Sequence, residues 1–268
     1  MSEIAQLKVL NEHIADYRVV NKSQSVLYSM FLPDYPLKLN STGKFVFETI
    51  RDSNSIELSK LVQTVSLRYQ VNEEIVYSDI ISLLQKMWLL GFVDWIGSNP
   101  LRKNFKTTTN EGVILHLTVN DCEKYFGTRD DGFVKLFDPY TVNELQNDIT
   151  YIKTNILISK YFPFAILSSK GECVAKLILQ FDNVNGIAYL SFLAYKTEIN
   201  PNILRDFIIR ATRIVGEKWG LVETDNNKLI TLLNTTSVSL TTLKQFGLEK
   251  IATLSGEINE ELVDLFAL

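Results

Sequence analysis

The chain is poor in the residues from which metal sites and disulfide frameworks are built. Its 268 residues include two cysteines and two histidines, and neither cysteine lies in a Cys-x-x-Cys pair. Cys122 and Cys173 are far in sequence from His13 and His116, so we expect two reduced thiols and no bound metal. No nucleotide-binding glycine loop and no hydrolase triad motif is recognisable either.

The sequence also lacks a strong charge of one sign and long apolar runs. Its formal net charge is −4, with 9 Lys and Arg against 11 Asp and Glu in residues 1–100 and 18 against 20 in the remainder. Binding to a duplex requires clustered basic residues, so we expect no nucleic-acid partner. The N-terminus has no signal-peptide core and the apolar runs are strand-sized, which predicts a cytoplasmic protein with no membrane partner.

What the chain does contain is enough apolar mass for two hydrophobic cores. Hydrophobic residues make up 46% of it, and its length is comfortable for two domains. Ser98, Asn99 and Pro100 are followed by a basic polar stretch, Arg102–Thr109. We therefore predict an α+β protein with domains over residues 1–97 and 110–268, joined by a linker over residues 98–109.

Residues 1–97 predict a β-ribbon followed by three helices, a winged-helix-like module. Alternating and β-branched residues predict short antiparallel strands at Tyr17–Val20, Val26–Phe31 and Tyr35–Leu39. Apolar stripes with period 3.6 predict helices over Thr42–Arg51, Ile56–Tyr69 and Glu73–Leu90, with N-caps at Ser41, Ser55 and Asn72. Gly91 is a predicted C-cap, and Phe92–Ile96 returns as an extended piece.

Residues 110–268 predict a mixed β-sheet flanked by helices. The predicted strands are Val113–Val119, Pro163–Ser168, Cys173–Phe181, Ile187–Tyr195, Lys228–Leu233 and Leu248–Glu257. The predicted helices run from Asn120 to a break at Asp138-Pro139-Tyr140, from Thr141 to Lys153, from Asn200 to Trp219 and from Thr235 to Phe246. The segment DNVNG between the third and fourth strands is typical of a hairpin turn.

Three segments of the first domain resemble the PqqD family of peptide-recognition modules, also called RiPP recognition elements. They are LNSTGKFVFETI, SIELSKLVQTVSLRYQVNEE and DIISLLQKMWLLGFV, and the resemblance covers about residues 15–96. It implies a precursor or leader peptide as partner, captured as an added strand beside the third strand and against the third helix. The implied peptide-binding residues are Tyr35, Leu37, Leu39, Tyr77, Ile80, Leu84 and Lys86. The alternative is that these side chains belong to the core of the small domain.

The second domain resembles the GNAT acyltransferases over about residues 110–258. The resemblance rests on the order of its elements and on the segment KLITLLNTTSVSLTTLKQFGLEKIATLSGEI. It implies acetyl-CoA or a longer acyl-CoA as co-substrate. Two positions depart from the family pattern. Lys196–Asn202 has no glycine where a phosphate-binding glycine loop is usual, and Leu243 stands where a general-acid Tyr is frequent.

The same resemblance implies where acyl-CoA and the chemistry would be located. The implied donor-binding residues are Phe192, Leu193, Ala194, Lys196, Thr197, Asn200 and Asn202. The implied catalytic candidates are Glu172, Tyr189 and Tyr195. The alternatives are a solvated turn residue for Glu172 and packing aromatic residues for the two tyrosines.

Three interpretations of function remain open at this stage. The first is an acyltransferase that recruits a ribosomally made peptide and transfers an acyl group from acyl-CoA to an amine. The second is a non-catalytic recruitment or scaffold protein with a degenerate GNAT fold. The third is a winged-helix regulator, against which the acidic sequence pI of about 5.4 argues. A homodimer is compatible with all three.

Overall fold

The computed structural model describes residues 5–109, 112–127, 132–137, 148–182, 187–218, 228–234, 244, 246–258 and 261–267. The chain divides into two compact units. Unit 1 comprises Met1–Asn104 with Thr118–Asn120, and unit 2 comprises Phe105–Leu117 with Asp121–Leu268. Each unit has its own core.

Unit 1 contains two small antiparallel sheets and three helices. Its elements in chain order are β1 (Gln6–Val9), β2 (Ile14–Asn21), β3 (Gln24–Ser29), β4 (Leu37–Leu39), α1 (Ser41–Asp52), β5 (Ile56–Glu57), α2 (Leu58–Tyr69), α3 (Glu73–Leu89) and β6 (Val93–Ile96). One sheet has the order β2-β3-β4, and the other has the order β5-β1-β6. The second sheet was not expected, because its central strand β1 lies in a stretch with no clear strand pattern.

The ends of the helices differ in detail from the sequence prediction. Asn40, and not Ser41, caps α1, since its Oδ1 accepts a hydrogen bond from the Gly43 amide at 2.8 Å. Asn72 caps α3 as predicted, accepting from the Glu74 amide at 2.7 Å. Ser55 is not a cap, because β5 intervenes before α2 begins. Gly91 follows α3 with φ +77°, and a Cβ there would lie 3.1 Å from Nδ1 of His13.

Unit 2 is built on one large mixed sheet. Its elements are β7 (Lys106–Thr108), β8 (Gly112–His116), α4 (Cys122–Phe126), β9 (Phe133–Phe137), α5 (Ile149–Leu157), β10 (Tyr161–Ser168), β11 (Cys173–Asp182), β12 (Ile187–Lys196), α6 (Pro201–Lys218), β13 (Lys228–Asn234), β14 (Glu249–Ile258) and β15 (Glu261–Ala267). The strand order is β14-β15-β13-β12-β11-β10-β8-β7, and β9 pairs with β12 off this path. β12 and β13 are parallel to each other.

Several predicted features of unit 2 need correction. The long helix expected from Asn120 is wrong, because α4 ends at Phe126 and strand β9 follows. Part of the expected linker is ordered, since Lys106–Thr108 pairs with β8 and Leu101 is buried. α5 begins at Ile149 behind the N-cap Asp148. The predicted cap Thr141, the hairpin turn 183–186 and most of the helix 235–246 lie outside the described residues.

Helices cover both faces of the unit 2 sheet. α6 packs on one face through Leu204, Phe207 and Ile208, against a core that includes Phe164, Leu177 and Leu193. α4 and α5 contribute to the apolar clusters on the opposite face, which include Cys122, Ile152, Ile178 and Phe192. No described helix has the length and apolar character needed to cross a membrane.

Candidate functional site

The first candidate site begins at the edge of the β2-β3-β4 sheet. β4 pairs with β3 through Leu37–Leu39, and its other edge has no strand partner among the described residues. An edge of this kind presents backbone N–H and C=O groups that an extended chain can bind. The strand was predicted over Tyr35–Leu39 but begins at Leu37, because Tyr35 lies in a turn before Pro36.

A cavity of about 450 Å³ opens beside the end of this edge. Its walls come from the start of α1, from α2 and from the exposed side of α3. The residues that line it include Asn40, Asp79, Ile80, Ser82, Leu83 and Lys86. Apolar side chains form its floor, while Asp79 and Lys86 bring opposite charges to the same side of α3, so the cavity suits an amphipathic guest.

The seven predicted peptide-binding residues do not all reach this cavity. Ile80 and Lys86 line it, although Ile80 is itself buried at 2% exposure, whereas Leu84 and Leu39 are buried and do not line it. The interior position of Leu84 and Leu39 leaves them no free surface for a guest side chain. Leu37 is half-buried on β4.

Two exposed tyrosines flank the region without lining the cavity. Tyr35 is 71% exposed in the turn before β4. Tyr77 is 45% exposed and lines a second, shallower cavity of about 520 Å³ with Glu73 and Glu74. Sequence reasoning therefore grouped residues that the structure divides between the core, the edge and two cavities.

The second candidate site is the edge of β12 in unit 2. One edge of β12 pairs with β11 along its whole length, and Ser191 is an extra residue in this ladder. Such a β-bulge bends a strand and increases its twist. On the other edge, β12 pairs with β13 only through Ile187–Tyr189, although both strands continue beyond that point. The two parallel strands therefore diverge after Tyr189.

Strand β9 occupies the edge that this divergence leaves. It pairs antiparallel with Phe192–Lys196 of β12, with Phe137 opposite Phe192 and Phe133 opposite Lys196. Parts of β9 also approach β13 to within 8 Å between Cα atoms. Both edges of β12 are thus paired at the residues where the sequence predicted a donor-binding strand.

The predicted donor-binding residues on β12 are packed into the two cores of unit 2. Leu193 is fully buried on the α6 side of the sheet. Phe192 and Ala194 are buried on the opposite side, against α4 and α5. Only their backbone can take part in binding a ligand, and β9 pairs with that backbone.

The loop before α6 satisfies its own backbone groups in part. Asn200 acts as the N-cap of α6, since its Oδ1 accepts from the Asn202 amide at 2.9 Å. Lys196 faces Glu172, with 3.9 Å between Nζ and Oε2, in a partly exposed ion pair. Thr197 and Asn202 are exposed.

The three predicted catalytic side chains are not brought together. Glu172 is exposed in the turn between β10 and β11. Tyr195 is 6% exposed on the α6 side of the sheet and meets Phe246 edge-on at 5.1 Å. Tyr189 is half-buried, and strand alternation with Ala188 and Leu190 puts it on the opposite side. Burial raises the pKa of Tyr195, so this phenol is not a base near neutral pH.

Lys176 is a charged residue in the interior that sequence reasoning did not single out. It is 2% exposed on β11, and its Nζ donates a hydrogen bond to the carbonyl of Tyr125 at the end of α4. The rings of Phe126 and Phe133 lie 5.4 and 5.6 Å from the ammonium. The signal was available, because a lone lysine interrupts the apolar strand CVAKLILQF. Phe133 belongs to β9, so this lysine connects α4 and β9.

No group of three or more metal-ligand side chains is found among the residues that the structure describes. Cys122 is buried beside Lys153, which forms an ion pair with Glu123 at 2.8 Å. Burial raises the pKa of the Cys122 thiol to about 12. This cysteine is therefore a protonated core residue and a poor nucleophile.

No known family profile matches the chain, and no curated protein matches it. Among solved structures, the chain has acetyltransferase neighbours. The chain is similar to ribosomal-protein-S5-alanine acetyltransferase from Vibrio fischeri, with 11% identity over 61% of this chain and 95% of that one and a TM-score of 0.43. A spermidine N-acetyltransferase SpeG mutant from Vibrio cholerae has 11% identity over 60% and 94%, with a TM-score of 0.44. A probable acetyltransferase has 14% identity over 62% and 97%, with a TM-score of 0.42.

Proposed function

We propose that the chain is a peptide-recruiting acyltransferase. Unit 1 binds an extended precursor peptide, and unit 2 transfers an acyl group from acyl-CoA to an amine of that peptide. Recruitment by a separate unit raises the effective concentration of the peptide at unit 2, which compensates for a weak acceptor site.

The observation that carries the peptide half is the edge of β4, which has no strand partner in the described part of the chain, next to the cavity between α1 and α3. A guest strand on this edge can satisfy its backbone groups on β4 and insert an apolar side chain over Ile80 and Leu83. The charges of Asp79 and Lys86 lie on the same side of α3 and favour a guest with complementary charges. The PqqD-like segments of the sequence support the same partner.

The acyltransferase half is supported by the topology of unit 2. The antiparallel meander β10-β11-β12 and the later strand β13 follow the order predicted from the GNAT resemblance. Divergence of β12 from β13 provides the strand edge at which a pantetheine arm would form hydrogen bonds.

The residues present do not fit acyl-CoA in this arrangement of the chain. β9 takes the backbone groups of Phe192–Lys196, and Asn200 takes the Asn202 amide at the start of α6. Pro201 has no N–H, and Glu198 would repel a diphosphate.

The same observations favour a second candidate, a non-catalytic recruitment protein. In that case β9 is a permanent part of the sheet, and unit 2 serves as a scaffold. The two candidates share the peptide site and differ only in whether acyl-CoA binds.

Peptide recruitment is tested by selecting ligands for the full-length chain from a random 12-residue peptide display library. We expect enriched peptides with bulky apolar residues at alternate positions, because strand side chains alternate in direction. The variant Ser82→Trp places a bulky side chain at the mouth of the cavity. We expect it to weaken binding of a selected peptide at least tenfold, which corresponds to about 1.4 kcal/mol.

The matched control is Ser78→Trp, one helical turn earlier on the exposed part of α3 and outside the residues that line the cavity. It should leave the dissociation constant within about twofold of the wild type. Equal losses in both variants would place the peptide elsewhere. A library that yields no enriched sequence would reject recruitment by unit 1.

A further inference from the structure

The pairing of β9 with β12 suggests how access of the acyl donor is controlled. We propose that β9 is an internal competitor of acyl-CoA, which occupies the donor edge of β12 until it is displaced. This inference rests on the proposed function and adds a regulatory step to the same site.

Competition follows from the number of edges that β12 has. β11 pairs along one edge from Ala175 to Asp182, so only the other edge can receive a ligand. β13 uses the first part of that edge and β9 uses Phe192–Lys196. A backbone N–H that donates to β9 is not available to the amides of a pantetheine arm. Binding of β9 and binding of the donor are therefore mutually exclusive.

β9 is held by contacts on both sides of the sheet. Leu136 is 2% exposed, and Val134 packs beside it in the core under α6. Phe133 packs on the opposite side with the cluster that contains Phe192, near the ammonium of Lys176. These contacts stabilise the closed arrangement when no donor is present.

The hydrogen bonds of β9 are few compared with those of its neighbours. It spans five residues, and among the described strands it pairs with β12 alone. β10 and β11, by comparison, are 8 and 10 residues long and have partners on both edges. A short strand with one partner can leave the sheet while β10–β12 stay paired. The apparent donor affinity is then reduced by the fraction of molecules that are closed.

The test uses acetyl-CoA as the probe and the full-length chain, with binding measured by calorimetry. Leu136→Asp places a carboxylate in the apolar core and should release β9. We expect it to bind acetyl-CoA at least fivefold more tightly than the wild type. Hydrogen exchange should show faster exchange at Phe192–Lys196, with β10 and β11 still protected, which separates release of β9 from unfolding.

A reducible disulfide between β9 and β12 tests the opposite case, in which β9 cannot leave the sheet. Lys135 and Ala194 are directly opposed in the register, so the double variant Lys135→Cys/Ala194→Cys, with Cys173→Ser, can form a disulfide between the strands. The oxidised form should not bind acetyl-CoA, and reduction should restore the affinity of the wild type.

The outcomes distinguish this inference from the proposed function. If the oxidised, reduced and wild-type forms bind acetyl-CoA equally, the donor site exists but β9 does not compete for it. If none of the variants, including Leu136→Asp with its edge exchanging, binds acetyl-CoA at millimolar concentration, the acyltransferase proposal fails, and the inference fails with it.

Discussion

Lys176 is the residue whose environment is least expected from its type. Lysine is rarely fully buried, and here the ammonium is satisfied by the carbonyl of Tyr125 and by aromatic rings on α4 and β9. The carbonyl that it binds lies at the end of α4, where helices leave C=O groups without an intrahelical partner. The lysine therefore acts as a buried cap for this helix.

Replacing this lysine tests its structural role. Lys176→Met keeps most of the apolar stem but leaves the Tyr125 carbonyl unpaired, so we expect a loss of about 1–3 kcal/mol in the free energy of unfolding. Urea unfolding measures this loss. Lys170→Met, in the exposed turn before β11, is the matched control and should change stability by less than about 0.5 kcal/mol. Equal stability of the two variants would contradict the role given to Lys176.

Cys122 predicts a pH dependence of stability at alkaline pH. Burial raises its pKa in the folded protein from 9.0 to about 12. Between these values the unfolded chain has lost the thiol proton and the folded chain has kept it. Stability therefore falls as pH rises, by up to about 1.4 kcal/mol per pH unit, and no such change occurs below pH 9.

The difference between wild type and Cys122→Ala isolates this effect, because other titrating groups are common to both. The wild type should be the more stable at about pH 8, since the variant leaves a small cavity. This advantage should shrink between about pH 9 and pH 11. Cys173→Ala, at the half-buried cysteine, is the control. A constant wild-type advantage across this range would show that Cys122 is not buried as described.

At the level of elements, local sequence signals predicted more than long-range pairing. The helices α1, α2 and α3 have apolar stripes, and α1 and α3 have asparagine caps, so these signals lie within a few residues of each other. The meander β10-β11-β12 was also predictable, because its strands are long, apolar and consecutive in the chain. The error at Ser41 was a shift of the cap by one residue, whereas α2 begins after Glu57 without a side-chain cap.

β9 could not be predicted in this way. Its residues, FVKLF, form a short apolar run that suits a strand or a helix equally, and their partner on β12 is more than 50 residues away. β1 and β15 were missed for the same reason, since their pairing depends on tertiary context. The β-bulge at Ser191 has no sequence signature of its own. The sequence placed its expected donor-binding strand on β12, and the pairing of β9 with this strand was not predicted.

For the whole molecule, the proposed function assigns a different task to each of the two units. Unit 1 has the cavity between α1 and α3 and the edge of β4, which pairs with no other strand that the structure describes. Unit 2 has the strand edge that β9 covers. A protein that only recruits peptides needs the first feature alone. An acyltransferase needs both, together with displacement of β9.

Transfer of an acyl group to a recruited peptide tests this account most directly. A library-selected peptide with one added lysine is incubated with acetyl-CoA and either wild type, Leu136→Asp or Ser82→Trp, and its mass is followed. We expect the peptide to gain one acetyl group, fastest with Leu136→Asp, and Ser82→Trp to raise the peptide KM at least tenfold. If the selected peptide binds unit 1 but gains no mass with the wild type or with Leu136→Asp, the chain is a recruitment protein and not an acyltransferase.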